Sequence, residues 1–263
     1  MPQTSASELV EHRFSNGQLA KILKVATGTG YEKALSKVGL HGPMPTLLVI
    51  GGASHMTDES QAKLLRFFNS TLANLSQDLG ITVLDGGTDA GVIHMMGAAR
   101  NHVSGQFNLV GVAPLNRVIF PGDDGPPPPL DDAGYPPVDL EPHHTHFFLV
   151  PGENWGSESR WLAEFSSVLA GRFPSMTLLI NGGQVSLMDL QLNLELGRQV
   201  TIIAGSGRLA DKVADTISGV NPAEDKTIQH LVKSYYPSQL SVFDLLGTSL
   251  DDLRAQLDLY FNC

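Results

Sequence analysis

Short unbroken apolar runs, separated by longer amphipathic stretches, set the rhythm of this chain. Leu47–Ile50, Ile81–Leu84, Leu109–Ala113, Phe147–Val150, Thr177–Ile180, Val200–Ala204 and Leu240–Phe243 are continuous rather than alternating. That is the pattern of strands buried on both faces. Helical periodicity fills most of the intervals. It is clearest over Glu59–Leu79, where Leu64, Leu65, Phe68, Leu72, Leu75 and Leu79 recur at three and four and Asp58 with Gln61 is spaced for a capping box. Val92–Val103, Glu158–Arg172, Leu187–Leu196, Leu209–Ile217 and Ser249–Tyr260 read as further helices. Strand and helix in steady succession predict one doubly wound α/β domain over residues 41–263, its sheet mainly parallel and helices on both faces. Residues 1–40 read as an N-terminal helical extension, with helices at Gln18–Ala26 and Glu32–Val38 that pack on a sheet edge or on another subunit.

One segment breaks the rhythm. Residues 114–142 contain GDDGPPPPLDDAGYPPVDLEP, too rich in proline and acid for regular structure. A loop of that length inside a compact domain is either functional, as a lid over the strand ends, or a solvated acidic excursion.

Charge removes several function classes. With 17 Lys+Arg against 27 Asp+Glu the formal net charge is -10, and no basic run exists that would neutralise a row of phosphates, so nucleic acid is not the expected partner. The only cysteine is Cys263, which excludes an internal disulfide or a cysteine-based zinc site and fits a reducing compartment. The first residues are polar and acidic where a signal peptide needs an apolar stretch, and no apolar run approaches the roughly 20 residues of a membrane span. A cytoplasmic protein without direct membrane insertion is the expectation.

Glycine carries the candidate chemistry. Gly51-Gly52, Gly86-Gly87, Gly152, Gly182-Gly183 and Gly205 with Gly207 each follow a predicted strand. In a parallel sheet those strand ends share one edge, where open α/β folds bind ligands. Glycine there lets main-chain N–H groups approach an anion, and the following helix start adds favourable potential. No P-loop is present and no complete G-x-G-x-x-G; Gly205-Ser206-Gly207 followed by Arg208 is the nearest approach. Thr88 and Asp89 sit at a helix start, placed to cap it or to take ribose hydroxyls, with capping the more ordinary role for Asp89. Trp155 stands on a glycine-flanked loop where it can stack on a base or pack over a helix end. Arg208 can meet phosphate with its planar fork or lie on the surface. His144 and His146 share a strand face, and with Glu141 they could hold a transition metal; no further ligand is identifiable, so a hydrogen-bonding role ranks first and no metal is assigned.

In order, GGA (51–53), DGGTDAGV (85–92), LEPHHTHFFLVPG (140–152), WGSES (155–159), NGG (181–183) and AGSGRLAD (204–211) resemble the LSDAT branch of the SLOG superfamily. That branch includes the cytosolic N-terminal region of melastatin-type transient receptor potential channels, and the resemblance covers about residues 45–217. It implies a Rossmann-like sheet and a site for nucleotide-derived ligands, of ADP-ribose type in the channel branch. Carried across, the ligand contacts are Gly51, Gly52 and Ala53; Gly86, Gly87, Thr88, Asp89 and Gly91; His144, Thr145 and His146; Gly152, Trp155, Gly156, Glu158 and Ser159; Asn181, Gly182 and Gly183; and Gly205, Ser206, Gly207 and Arg208. Another branch, the cytokinin-activating phosphoribohydrolases, uses P-G-G-x-G-T-x-x-E. This chain reads NGGQVSLMD there, with Val185 for glycine, Ser186 for threonine and Asp189 for the catalytic glutamate. Aspartate reaches one methylene less, and a misplacement of about 1 Å costs roughly two orders of magnitude in rate. That family's arginine has no clear counterpart: Arg160 and Arg172 are both candidates, at unconvincing distances.

The expected function is binding or sensing of an ADP-ribose-like or NAD-related small molecule, with no cofactor required. The signal would pass through a homo-oligomer or a separate effector protein. The alternative is an N-glycosidic hydrolase of nucleoside monophosphates using Asp189. A purely structural subunit would leave the glycine-rich edge without a use.

Overall fold

The computed structural model of the chain describes residues 6–122 and 125–262. The first five residues, Asp123 and Asp124 of the acidic loop, and Cys263 lie outside the described residues.

The chain enters through an antiparallel hairpin of β1 (Glu8–Arg13) and β2 (Leu19–Lys24), followed by α1 (Tyr31–Val38). The helix expected over Gln18–Ala26 is therefore a strand. LAKILK buries Ala20, Ile22 and Leu23, and β2 lies parallel against β8 (His146–Val150), so sheet pairing overrides a helical propensity too weak to stand alone in so short a segment. The helix expected at Glu32–Val38 is present.

All seven apolar runs form strands: β3 (Thr46–Gly51), β4 (Thr82–Asp85), β5 (Leu109–Pro114), β8, β9 (Ser175–Ile180), β10 (Gln199–Ala204) and β11 (Leu240–Asp244). With the hairpin they make one nine-stranded sheet in the order β1-β2-β8-β5-β4-β3-β9-β10-β11, parallel from β2 onward. The parallel path starts at β3 in the middle, moves outward through β4, β5 and β8, then returns to the other flank of β3 with β9. The crevice between the ends of β3 and β9 is thus the switch point of a doubly wound sheet.

Helices cover both faces, as the uninterrupted apolar strands require. Leu48 and Ile50 pack with α1, α5 (Ser159–Ala170), α6 (Gln184–Glu195), α7 (Arg208–Ser218) and α8 (Lys226–Tyr235). Leu47 and Val49 pack on the opposite side with α2 (Asp58–Arg66), α3 (Ala73–Leu79), α4 (Gly91–His102) and α9 (Leu250–Phe261). The helix α8 was not expected from periodicity.

Two local expectations change. Glu59–Leu79 is one helical path interrupted by a π turn at Phe67–Leu72, where Asn74 Nδ2 donates to the Asn69 and Ser70 carbonyls. The turn buries Phe67 and Phe68 together and leaves Leu65 at 39% exposure. Its N-cap is Thr57, whose Oγ1 accepts from Ser60 N–H, in place of the Asp58–Gln61 capping box. Residues 114–142 carry regular elements near both ends, a 3-10 turn at Leu115–Arg117 and a two-strand parallel ladder of β6 (Val118–Ile119) and β7 (Val138–Asp139). Among the described residues no helix is long and apolar enough to cross a membrane.

Candidate functional site

At the switch point the strand ends enclose a cavity of about 220 Å³. Its floor is Val49, Ile50 and Gly51 of β3; its walls are Gly86, Thr88 and Ile93 at the start of α4, Trp155, Glu158 and Leu162 at the start of α5, and Val185, Ser186 and Asp189 on α6. The first turns of α4, α5 and α6 all border it; α4 and α5 have no side-chain cap, and at α6 the Ser186 hydroxyl accepts from Gly183 N–H at 3.3 Å. Elsewhere α2, α8 and α9 are capped by Thr57, Asp225 and Ser249, while α1 and α7, outside the cavity lining, also start without a side-chain cap. A helix start without a cap leaves N–H groups for a ligand to satisfy.

Two carboxyl groups in the wall are displaced from their ordinary ionisation. Burial pushes Glu158 up to about 8, against the hydrogen bond that its Oε2 accepts from Gly156 N–H and with a further push from Asp189. Burial likewise raises Asp189 to about 6, moderated by Ser159. The Ser159 hydroxyl is buried beside that carboxylate. Near neutrality Glu158 is mainly the neutral acid and Asp189 mainly the anion, two adjacent carboxyls with separated roles.

Of the predicted contacts, Gly51, Gly86, Thr88, Trp155 and Glu158 meet in this cavity, together with Asp189, the residue named for the hydrolase alternative. Others build its frame. A Cβ on Gly91 would stand 3.1 Å from Ala53 N and 3.5 Å from Gly52, so the first glycine turn rests on the start of α4. Asn181 Nδ2 donates to the carbonyls of Ser54 and Ser206, and Asn181 N–H donates to Ser206 Oγ, which ties three strand ends together. Gly207 gives Asn181 room, Gly182 lies under Ser186, Gly152 under Ser157, and Gly156 faces Val185 and Met188. Arg208 reaches over Gly183, where an added Cβ would meet its Nη2 at 2.8 Å. Gly205 faces Leu245 and Leu246, away from the cavity. Arg160 pairs with Glu164 on the surface and Arg172 borders a separate hollow with Tyr260, so neither serves as the hydrolase arginine; Arg208 is the cation beside the double glycine.

The histidine stretch does not line the cavity. His144 is fully buried between two acceptors, Nε2 2.9 Å from Asp85 Oδ1 and Nδ1 2.8 Å from Glu141 Oε2, so both ring nitrogens carry protons. Burial opposes that charge, but the two carboxylates outweigh it and hold the pKa up to about 9. Glu141 N–H donates to the Gly87 carbonyl, Asp89 N–H to the Asp139 carbonyl, and Thr88 bridges Leu140. Residues 139–144 thus brace the DGGTD turn from behind. Thr145 closes on Leu109, and His146 stands at the start of β8, opposite the strand ends, where burial and then Lys21 hold it neutral with a pKa near 4. Asp89 does not cap α4, whose N-cap is Ala90; it is bonded to His94. No motif marks Val49, Ile50, Ile93 or Leu162, whereas Val185 and Ser186 belong to the NGGQVSLMD stretch.

A family model described as SLOG in TRPM, prokaryote, matches residues 44–250. The chain is 24% identical over 275 residues to "Transient receptor potential cation channel subfamily M member 2" of Mus musculus and equally to that of Rattus norvegicus. Each alignment covers 92% of this chain and 18% of the relative, so the chain spans under a fifth of the length of those relatives. Among solved structures, the X-ray structure of the structural-genomics target TM1055 superposes with a TM-score of 0.50 at 13% identity, over 82% of this chain and 99% of the other. That likeness is one of fold.

Proposed function

The chain belongs to the prokaryotic SLOG-in-TRPM family, LSDAT, and from that premise we propose that it binds a nucleotide-derived small molecule of ADP-ribose or NAD type in the switch-point cavity. One observation carries this reading: three helix starts, two of them without a side-chain cap, border a single cavity at the strand ends. Their N–H groups suit a phosphate, Arg208 offers the compensating cation, Trp155 offers a flat apolar face, and Thr88, Ser186 and the two carboxyls suit sugar hydroxyls. A cavity of about 220 Å³ takes one sugar-phosphate portion and leaves the remainder at the Trp155 rim.

The ligand's signal runs through that rim. Asn154 Nδ2 donates to Asp132 Oδ2 and Asp132 N–H to Asn154 Oδ1, so the proline-rich loop is fastened to the segment that carries Trp155. A ligand that favours one arrangement of that fastening shifts its population, in the cytoplasm, toward a form read by a second copy or a separate effector. Thermal unfolding with and without ADP-ribose, NAD and nucleoside monophosphates tests binding: the expected result is a rise in Tm with at least one of them, and no rise with any would overturn the reading.

The Glu158–Asp189 pair favours a second reading, N-glycosidic hydrolysis, with Glu158 donating a proton to the departing base and Asp189 activating water or steadying the sugar cation. Chromatographic detection of free base separates the two. Asp189→Asn ends base release if the protein is a hydrolase and leaves binding in place if it is a receptor.

A further inference from the structure

Asp89 and His94 keep company outside the cavity. Asp89 Oδ1 lies 2.6 Å from His94 Nδ1, and a carboxylate oxygen of Glu141 joins them, so one ligand atom from each of the three residues lies within 4.8 Å of the others. We propose that Asp89, His94 and Glu141 form a binding site for a divalent cation of the zinc or manganese class. The site lies beside the nucleotide cavity and apart from its lining.

The donor set fits that chemistry. One imidazole nitrogen with two carboxylates suits zinc, manganese or ferrous iron and leaves positions for water. Bonds of about 2.1 Å place ligand atoms roughly 3 to 4 Å apart, and the two exposed side chains close the remaining distance by rotation. The contact between Asp89 Oδ1 and His94 Nδ1 is one that a cation would replace.

The backbone and the surrounding groups are already arranged to hold these ligands. Asp89 N–H donates to Asp139 O at 2.8 Å and Glu141 N–H to Gly87 O at 3.0 Å, so the two ligand-bearing segments are pinned to each other. Glu141 is fully buried, and bonds from His143 Nδ1 at 2.6 Å and His144 Nδ1 at 2.8 Å fix its orientation, with Asp85 holding His144 from behind. This is the outer layer of hydrogen bonds that orients a metal-binding carboxylate. Asp89 has no competing duty, since α4 starts without a side-chain cap. Neither the histidine strand nor its same-face pair supplies the imidazole; it comes from the first turn of α4. Thr88 and Ile93, next in the chain to Asp89 and His94, line the cavity, which places the cation one residue from its rim.

The test is calorimetric titration of the full chain with ZnCl₂ and with MnCl₂, without nucleotide. The expected result is near one-to-one binding of at least one cation. In His94→Ala and Asp89→Asn, both exposed substitutions, affinity should fall by at least the ~10–100-fold that follows loss of an outer-layer partner, with the metal-free Tm unchanged. Absence of stoichiometric binding, or binding undiminished in both variants, would overturn the proposal. Because no nucleotide is present, that failure is distinct from failure of the cavity to bind one.

Discussion

Gly86 and Gly87 are neighbours of one type with opposite duties. Gly87 has φ of +67°, and a Cβ there would meet Gly111 Cα at 2.8 Å, main chain against main chain. Gly87→Ala is expected to destabilise by about 2 to 4 kcal/mol through strain and overpacking, read as a lower urea midpoint at unchanged slope. At Gly86 the added atom would meet only the end of the flexible Ile93 side chain, at 2.9 Å. Gly86→Val should therefore keep its Tm near that of the parent and lose the ligand-induced rise; a retained rise would remove Gly86 from the site. The sequence shows two identical glycines in DGGTD, because φ and the proximity of a strand 24 positions onward are not local properties. The carboxyl pair gives a pH test at the same scale. Both native pKa values lie above the ordinary ones, so from pH 4 upward the native state binds more protons than the unfolded chain. Stability then falls as pH rises through that window, and the loss is complete above about 8, where Glu158 has ionised. Glu158→Gln should recover roughly 2 to 5 kcal/mol at pH 9 and little at pH 4. Parallel pH profiles for parent and variant in urea melts would contradict the displaced ionisation.

At the scale of elements, the uncapped helix starts are open to direct manipulation. Ala90 precedes α4 with φ of -149° and ψ of 148°, the extended geometry of an N-cap, but it lacks a side-chain oxygen. Ala90→Ser supplies one. It should stabilise the ligand-free protein by about 0.5 to 1 kcal/mol and weaken nucleotide binding, because the hydroxyl takes N–H groups that the ligand would use. Greater stability with unchanged affinity would show that the α4 start is not a contact. The EPHH segment acts as a brace, and His144 is its keystone: His144→Ala leaves Asp85 and Glu141 buried without their shared cation, at an expected cost of about 3 to 5 kcal/mol in chemical denaturation. The strands and the glycine edge were legible because uninterrupted runs such as LLVI and TLLI have one stable placement, between two helical layers. The brace was not, since nothing in EPHHTH reveals that His144 meets Asp85, 59 positions earlier. LAKILK misled for a related reason: Lys21 and Lys24 read as the polar side of a helix, whereas they stand on an interior strand, the Lys21 ammonium donating to the Val38 carbonyl and the Lys24 ammonium 4.5 Å from the Phe120 ring centre.

For the whole molecule, the boundary of the family match and the boundary of the core do not coincide. The match starts at residue 44, yet β2 lies inside the sheet beside β8, with Ile22 packed against Phe147 and Leu149 and Leu23 in the cluster that holds Phe148 and Val150. Helix α1 adds Leu35 and Val38 to that same cluster. At about 2 kcal/mol for each fully buried aliphatic side chain, Ile22, Leu23, Val25, Leu35 and Val38 together represent about 10 kcal/mol of burial. That matches the whole net stability of an ordinary domain, about 5 to 15 kcal/mol. A fragment starting at Met44 would also bare the hydrogen-bonding edge and apolar face of β8, which invite association. The 44–263 fragment is therefore expected to lose its near-UV circular dichroism and cooperative melt, bind a hydrophobic dye and aggregate, while the full chain unfolds in one transition. A monomeric fragment with a sharp melt would show instead that residues 1–43 are an appendage to a core complete without them. The residues that brace the turn and line the cavity, from Val49 to Arg208, would then be sufficient for ligand binding.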